Sequence, residues 1–191
     1  KQKLLAISAI GSLGPMHMHR ANAKPGDHLV VSGPHGLSRL GLALLMSDPI
    51  LKSAKIPENL KQKAISAHQH PVPKFKALQD LQGCKPEGLP WRAACTDSSD
   101  GLLDAINNIC KSSQCQAIIY PESLPKDEEW PLGLQWDEWC MTGGEDFELV
   151  ISLPPMWAQE WIKLVPDSYW IGEINTGDPI VIWSDTSEEI N

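Results

Sequence analysis

The stretch CTDSSDGLLDAINNIC (95–110) decides the fold class. From Leu102 its apolar positions 102, 103, 106, 109 and 110 follow i, i+1, i+4, i+7 and i+8, the spacing of one helical face. CQAIIY (115–120) follows at once as a short apolar strand. Upstream, HLVVSG (28–33) reads as a strand entered through the turn KPGD (24–27). GLSRLGLALLMSD (36–48) reads as a helix, with Ser38 as its cap and Pro49 just past its end. KLLAISAIGSL (3–13) is apolar and partly β-branched, and is expected to be a strand. Pro57 opens the polar helix PENLKQKAISAH, residues 57–68. The two prolines of HPVPKF (70–75) break helical structure, and a short amphipathic helix is expected near 74–82.

Downstream, PESLPKDEEWPLGLQWDEW (121–139) is a proline- and acid-rich excursion carrying three tryptophans. FELVISL (147–153) alternates, with Phe147, Leu149 and Ile151 on one face and Glu148 and Val150 on the other, opposite the core. PPMWAQEWIKLV (154–165) is a helix opened by prolines, and YWIGEINTGDPIVIW (169–183) reads as a hairpin across NTGD. The last eight residues are polar and expected to fray. Strands and helices intermix without strict alternation. The expected class is therefore α+β, an α/β sandwich with a mixed sheet and helices packed on it, in a single domain over residues 1–191.

Composition sets the outer limits. The chain has 191 residues, 42% hydrophobic and 21% charged, ordinary values for a globular protein. A net charge of −8 argues against a nucleic-acid face, which needs a basic stripe. It leaves room for phosphate-bearing ligands held through Mg²⁺. No apolar run is long enough to span a membrane. Five cysteines at 84, 95, 110, 115 and 140 show no C-x-x-C spacing, which reads as reduced thiols in a cytoplasmic protein.

The chemistry concentrates where Asp97, Ser98, Ser99 and Asp100 crowd a helix start. One such residue caps a helix, for about 1 kcal/mol. Two aspartates three residues apart lie roughly 5–6 Å from each other if helical, and each disfavours ionisation of the other unless a cation sits between them. Hard oxygens at that spacing suit Mg²⁺, which completes its shell with water and phosphate oxygens. Capping and a metal–phosphate site both remain open readings of this stretch. TGGEDFELV (142–150) adds a diglycine turn and acids before a strand, the composition of a tight turn beside a cation or polar ligand, or of a hairpin turn with solvated acids. Arg20, ahead of the KPGD turn, is a surface charge or, if turned inward, a planar fork for phosphate.

Four stretches in this order, RANAKPGDHLVVSGPHGLSRLGLALL (20–45), HPVPKF (70–75), DSSDGL (97–102) and GGEDFEL (143–149), resemble the C-terminal half of the thiamine-monophosphate kinase family. That family lies within the superfamily of aminoimidazole ribonucleotide synthetase. YWIGEI (169–174) is a weaker match. The resemblance implies a fold like the C-terminal domain of that synthetase and transfer of the ATP γ-phosphoryl group to thiamine monophosphate. It implies that Asp97 and Asp100 hold Mg²⁺, that Ser99 and Arg20 contact ATP, and that Glu145, with Asp146 and Glu148 beside it, lines the thiamine side.

The family's enzyme is about twice this long. Its N-terminal half supplies most of the Mg²⁺-binding aspartates and the homodimer interface. The chain is thus expected to be one domain of a longer kinase, inactive by itself. The family's C-terminal aromatic has no match after Trp183. The alternatives are another ATP-using member of the superfamily and a non-catalytic binding module that lost its nucleotide half. The tryptophans of 130–139 are expected to pack rather than stack on thiamine. GPHGLSRLG (33–41) lacks the G-K-[ST] ending of a phosphate loop and reads as a plain strand–turn–helix. His17 with His19, and His68 with His70, show no third ligand.

Overall fold

Continuous apolar runs such as Leu29–Val31 need cover on both faces, and the architecture provides it. The computed structural model describes residues 4–12, 14 and 17–190. Six strands, β1 (His28–Val31), β2 (Ala94–Asp97), β3 (Gln116–Ile119), β4 (Leu149–Leu153), β5 (Tyr169–Asn175) and β6 (Val181–Trp183), form one sheet in the order β2-β4-β1-β5-β3-β6. Every pairing is antiparallel except β3 with β6. The helices are α1 (Leu37–Leu45), α2 (Glu58–Gln69), α3 (Phe75–Gly83), α4 (Leu102–Ser113), α5 (Leu134–Thr142) and α6 (Pro155–Leu164). This is the expected mixed sheet with helices packed on it.

The side chains of β1 divide between two cores. Leu29 and Val31 join Leu102, Ile106 and Ile109 of α4 on one face. Val30 joins Trp157 and Trp161 of α6 and Leu81 of α3 on the other. The two indole N–H groups donate to carbonyls of α3, Trp157 to Leu81 and Trp161 to Ala77, each at 2.9 Å, so these buried rings are fully satisfied. A third cluster joins Leu40 and Ala43 of α1 and Leu60 and Ala64 of α2 to Trp130, Trp136 and Trp139. These three tryptophans pack edge to face in sequence, which is the packing role expected of them.

The KPGD turn is anchored by charge. Asp27 is buried and accepts two hydrogen bonds from Arg92, both at 2.6 Å. It also accepts from the Ser152 hydroxyl and the Lys24 backbone N–H. One carboxylate thereby ties the head of β1 to β4 and to the segment leading into β2.

Several expectations are corrected. Residues 4–12 carry no secondary structure, and Leu4, Leu5, Ile7 and Ile10 are almost fully exposed; residues 3 and 13 lie outside the described set. A strand needs a ladder partner, and no described segment pairs with these residues. The 169–183 stretch is not a hairpin, because β3 inserts between β5 and β6. The 121–139 excursion contains the start of α5, with Trp136, Trp139 and Cys140 on its buried side. Glu148 lies before β4 rather than on a solvated face, and it is buried. The C-terminal tail is tied down through Glu189, which bridges to Ile182, and Ile190, whose N–H donates to Val181.

Candidate functional site

Asp97 ends β2 and Asp100 precedes α4, and both are exposed. Neither caps the helix: the N-cap is Gly101, which has no side-chain capping bond. Gly101 has φ +109°, and a Cβ there would lie 3.3 Å from the Thr142 backbone, so the end of α5 is what approaches closely. Arg20 sits in a short 3-10 turn over the same strand and donates through Nε to Thr96 Oγ1 at 3.2 Å, one residue from Asp97.

The two acidic turns are joined edge to edge. The Glu145 N–H donates to the Ser99 carbonyl at 2.7 Å. The Ser98 N–H donates to the Glu148 carbonyl at 2.9 Å, and the Glu148 N–H returns a bond to Ser98 Oγ at 3.1 Å. Gly144, at φ +42°, lies against the Ser99 carbonyl, close enough that a Cβ would sit 3.2 Å away. Gly144 is thus required by the approach of the DSSDG turn, and Gly143 by the Trp139 carbonyl, which a Cβ there would meet at 2.3 Å.

The three acids of the second turn have different environments. Glu145 is exposed, at φ +60°, with Oε2 3.5 Å from His68 Nδ1. It lines a cavity of about 440 Å³ with Arg39, Trp139 and Gly143, and the Arg39 guanidinium lies 4.2 Å above the Trp139 ring. Asp146 caps α1: its two oxygens accept from the N–H groups of Gly36 (2.7 Å) and Ser38 (2.9 Å). Ser38, the expected cap, lies inside the helix instead. Burial pushes the Asp146 carboxyl up to about 7, against the pull of those two N–H groups. Glu148 accepts from the Ser32 hydroxyl and pairs with Lys74 at 2.6 Å. Asp146, Glu148 and Lys74 share the wall of a second cavity, of about 560 Å³, with Lys63, His70 and Tyr169.

Three residues that the sequence did not mark join this site: His35, Ser32 and Lys74. Buried His35 bridges the β1–α1 turn to Ser98, with Nε2 3.0 Å from Ser98 Oγ and Nδ1 3.1 Å from the Gly33 carbonyl. Burial lowers its pKa to about 4, so the ring is neutral near pH 7. None of the three carries a local signal, because each takes its role from a partner far along the chain: Ser98 for His35, and Glu148 for Ser32 and Lys74.

Among the described residues no group of three or more His, Cys, Asp or Glu side chains is gathered to hold a metal ion. The exposed carboxylates of Asp97 and Asp100 are the pair that could serve a hard cation. Both are exposed, engaged in no ion pair among the described residues and free of capping duty. That fits Mg²⁺, which takes one or two carboxylates and fills its remaining positions with water and phosphate oxygens.

The chain and its fold have known counterparts. The sequence profile of AIR synthase related protein, C-terminal domain, matches residues 24–184, and the chain belongs to that family. Within it the chain is a homologue of thiamine-monophosphate kinases. It is 57% identical to the thiamine-monophosphate kinase of Prochlorococcus marinus over 184 residues, 96% of this chain and 55% of the relative. It is 40% identical to that of Synechococcus elongatus over 179 residues, 93% of this chain and 53% of the relative. The structure of AaThiL complexed with AMPPCP and TMP superposes with a TM-score of 0.70 at 27% identity, covering 91% of this chain and 52% of that one. The chain spans about half the length of the curated relatives it matches. No helix among the described residues is long and apolar enough to cross a membrane.

Proposed function

We propose that the chain is the C-terminal domain of a thiamine-monophosphate kinase and contributes one wall of its active site. The carrying observation is the hydrogen-bonded union of the DSSDG and GGEDFE turns in a chain 57% identical to such a kinase over 96% of its length. In the reaction, a phosphate oxygen of thiamine monophosphate attacks the γ-phosphorus of ATP. The bond between that phosphorus and the β–γ bridging oxygen breaks, and ADP leaves with the electron pair. Such transfers depend on positioning and charge neutralisation. Asp97 and Asp100 hold Mg²⁺, which when bound offsets the charge of the polyphosphate. Ser99 and Arg20 contact the nucleotide phosphates, consistent with the ATP analogue AMPPCP bound by a structural relative. Glu145 faces the thiamine side, while Asp146 and Glu148, committed to Gly36, Ser38, Ser32 and Lys74, shape the turn from behind. The rest of the Mg²⁺ shell and a homodimer interface come from an N-terminal half, so this domain alone does not turn over.

The test is conversion of thiamine monophosphate and ATP to thiamine diphosphate and ADP by the full-length gene product, followed chromatographically with and without Mg²⁺. Mg²⁺-dependent product supports the proposal. Absence of product from a folded full-length protein overturns it.

A further inference from the structure

The GPHG turn between β1 and α1 lacks the signature of a phosphate loop, yet it holds a buried histidine aimed at the acidic turn. The proton positions follow from the partners. A neutral imidazole carries one N–H. Nδ1 faces the Gly33 carbonyl, which can only accept, so Nδ1 bears the hydrogen. Nε2 is then an acceptor, and its partner at 3.0 Å, Ser98 Oγ, donates to it. The serine oxygen keeps a lone pair for the Glu148 N–H at 3.1 Å. Its own backbone is held too: its N–H donates to Glu148, and its carbonyl accepts from Gly101. His35 is itself fixed, because its N–H donates to the Pro125 carbonyl at 2.7 Å. Ser98 is the residue between Asp97 and Ser99, so whatever fixes it fixes the chain from which both ligand carboxylates and the nucleotide-contacting serine project.

We propose that His35 is a positioning residue for phosphoryl transfer: by accepting the Ser98 hydroxyl through Nε2, it locks the Asp97–Asp100 turn in the geometry that receives the cation and polyphosphate. This rests on the proposed function. Partners one step behind metal ligands typically change metal affinity by roughly 10–100-fold when removed. His35 touches neither substrate nor metal and acts only through Ser98.

The test compares wild type, His35→Leu and His35→Gln in the full-length protein. Leu removes the acceptor; Gln returns a carbonyl oxygen near the Nε2 position. For His35→Leu, the Mg²⁺ concentration giving half-maximal rate is expected to rise about tenfold or more, with the thiamine monophosphate KM within about threefold of wild type. His35→Gln is expected to recover most of that shift. Titration with Mn²⁺ in the presence of AMPPCP reads the same effect without turnover, so it decides the role of His35 even if no thiamine diphosphate forms. A tenfold weaker Mn²⁺ affinity in His35→Leu, restored by Gln, supports the proposal. Unchanged affinity in folded His35→Leu, or Gln no better than Leu, overturns it. Nitrogen NMR of wild type gives a check that needs no variant: a hydrogen on Nδ1 is expected, and one on Nε2 would overturn the assignment.

Discussion

The backbone N–H of Glu145 lies 2.7 Å from the carbonyl oxygen of Ser99, although 46 positions separate the two residues in the sequence. This bond, with the reciprocal pair between Ser98 and Glu148, turns two acidic loops into one platform. Asp97 and Asp100 project from one loop of the platform and Glu145 from the other. A change in either loop is therefore felt in both.

Asp97→Asn in the full-length protein is expected to abolish thiamine diphosphate formation. The side chain is exposed and caps nothing, so stability is expected to stay within about 0.5 kcal/mol of wild type or to rise as carboxylate repulsion is relieved. Product assays beside a thermal melt check both parts. A loss of several kcal/mol would make Asp97 a structural residue.

Gly101→Ala is expected to destabilise the protein by about 1–3 kcal/mol, because φ +109° is strained for alanine and the new methyl would press on the Thr142 backbone. Gly83→Ala, at the open end of α3, is the control and is expected to stabilise by roughly 0.5 kcal/mol. Urea unfolding of both variants measures the contrast.

Two groups, the buried His35 and the half-buried Asp146, give opposite pH dependences. His35 is lowered to about 4, so its contribution to stability is present above the unfolded value near 6.5 and lost as pH falls toward 4. Asp146 is raised to about 7, so its contribution is present below the unfolded value near 4 and lost as pH rises through 7. Each is worth about 3–4 kcal/mol across its window, and the two windows overlap between about 4 and 6.5. Relative to wild type, His35→Gln is therefore expected to gain stability on acidification through that range, and Asp146→Asn to lose it. Denaturant melts at several pH values read both slopes; equal slopes in all three proteins would contradict the assigned shifts.

Asp27→Ala is expected to cost about 3–5 kcal/mol, since it strands Arg92, the Ser152 hydroxyl and the Lys24 N–H around one removed carboxylate. The double variant Asp27→Ala/Arg92→Met is expected to recover part of that loss. Equilibrium unfolding of the single and double variants measures the coupling.

Local pattern accounts for what was readable in the sequence. The α4 periodicity, the β1 run and the proline-opened helices appear near their expected bounds because their apolar spacing matches their cover. The motif pair DSSDG and GGEDFE pointed to one region, and the chain does bring the turns together. What stayed hidden depends on partners distant in sequence. Ser38 looked like a cap because the cap that is used, Asp146, comes from 108 positions away. The 169–183 stretch looked like a hairpin because nothing local reveals that β3 divides it. His35 gave no signal, since a single buried histidine gains its meaning only from Ser98, 63 residues on.

The placement of the aromatic rings has an optical consequence. Of eight tryptophans, Trp130, Trp136 and Trp139 report on the α1–α2 layer, and Trp91, Trp157 and Trp161 on the α3–α6 layer. Trp170 stacks on His28 at the surface of β5, and the core beneath α4 holds only Trp183, at its margin. Intrinsic fluorescence therefore watches the two outer shells of the molecule and is nearly blind to the helix that carries the acidic turn, where an inserted fluorophore would be needed to see local opening.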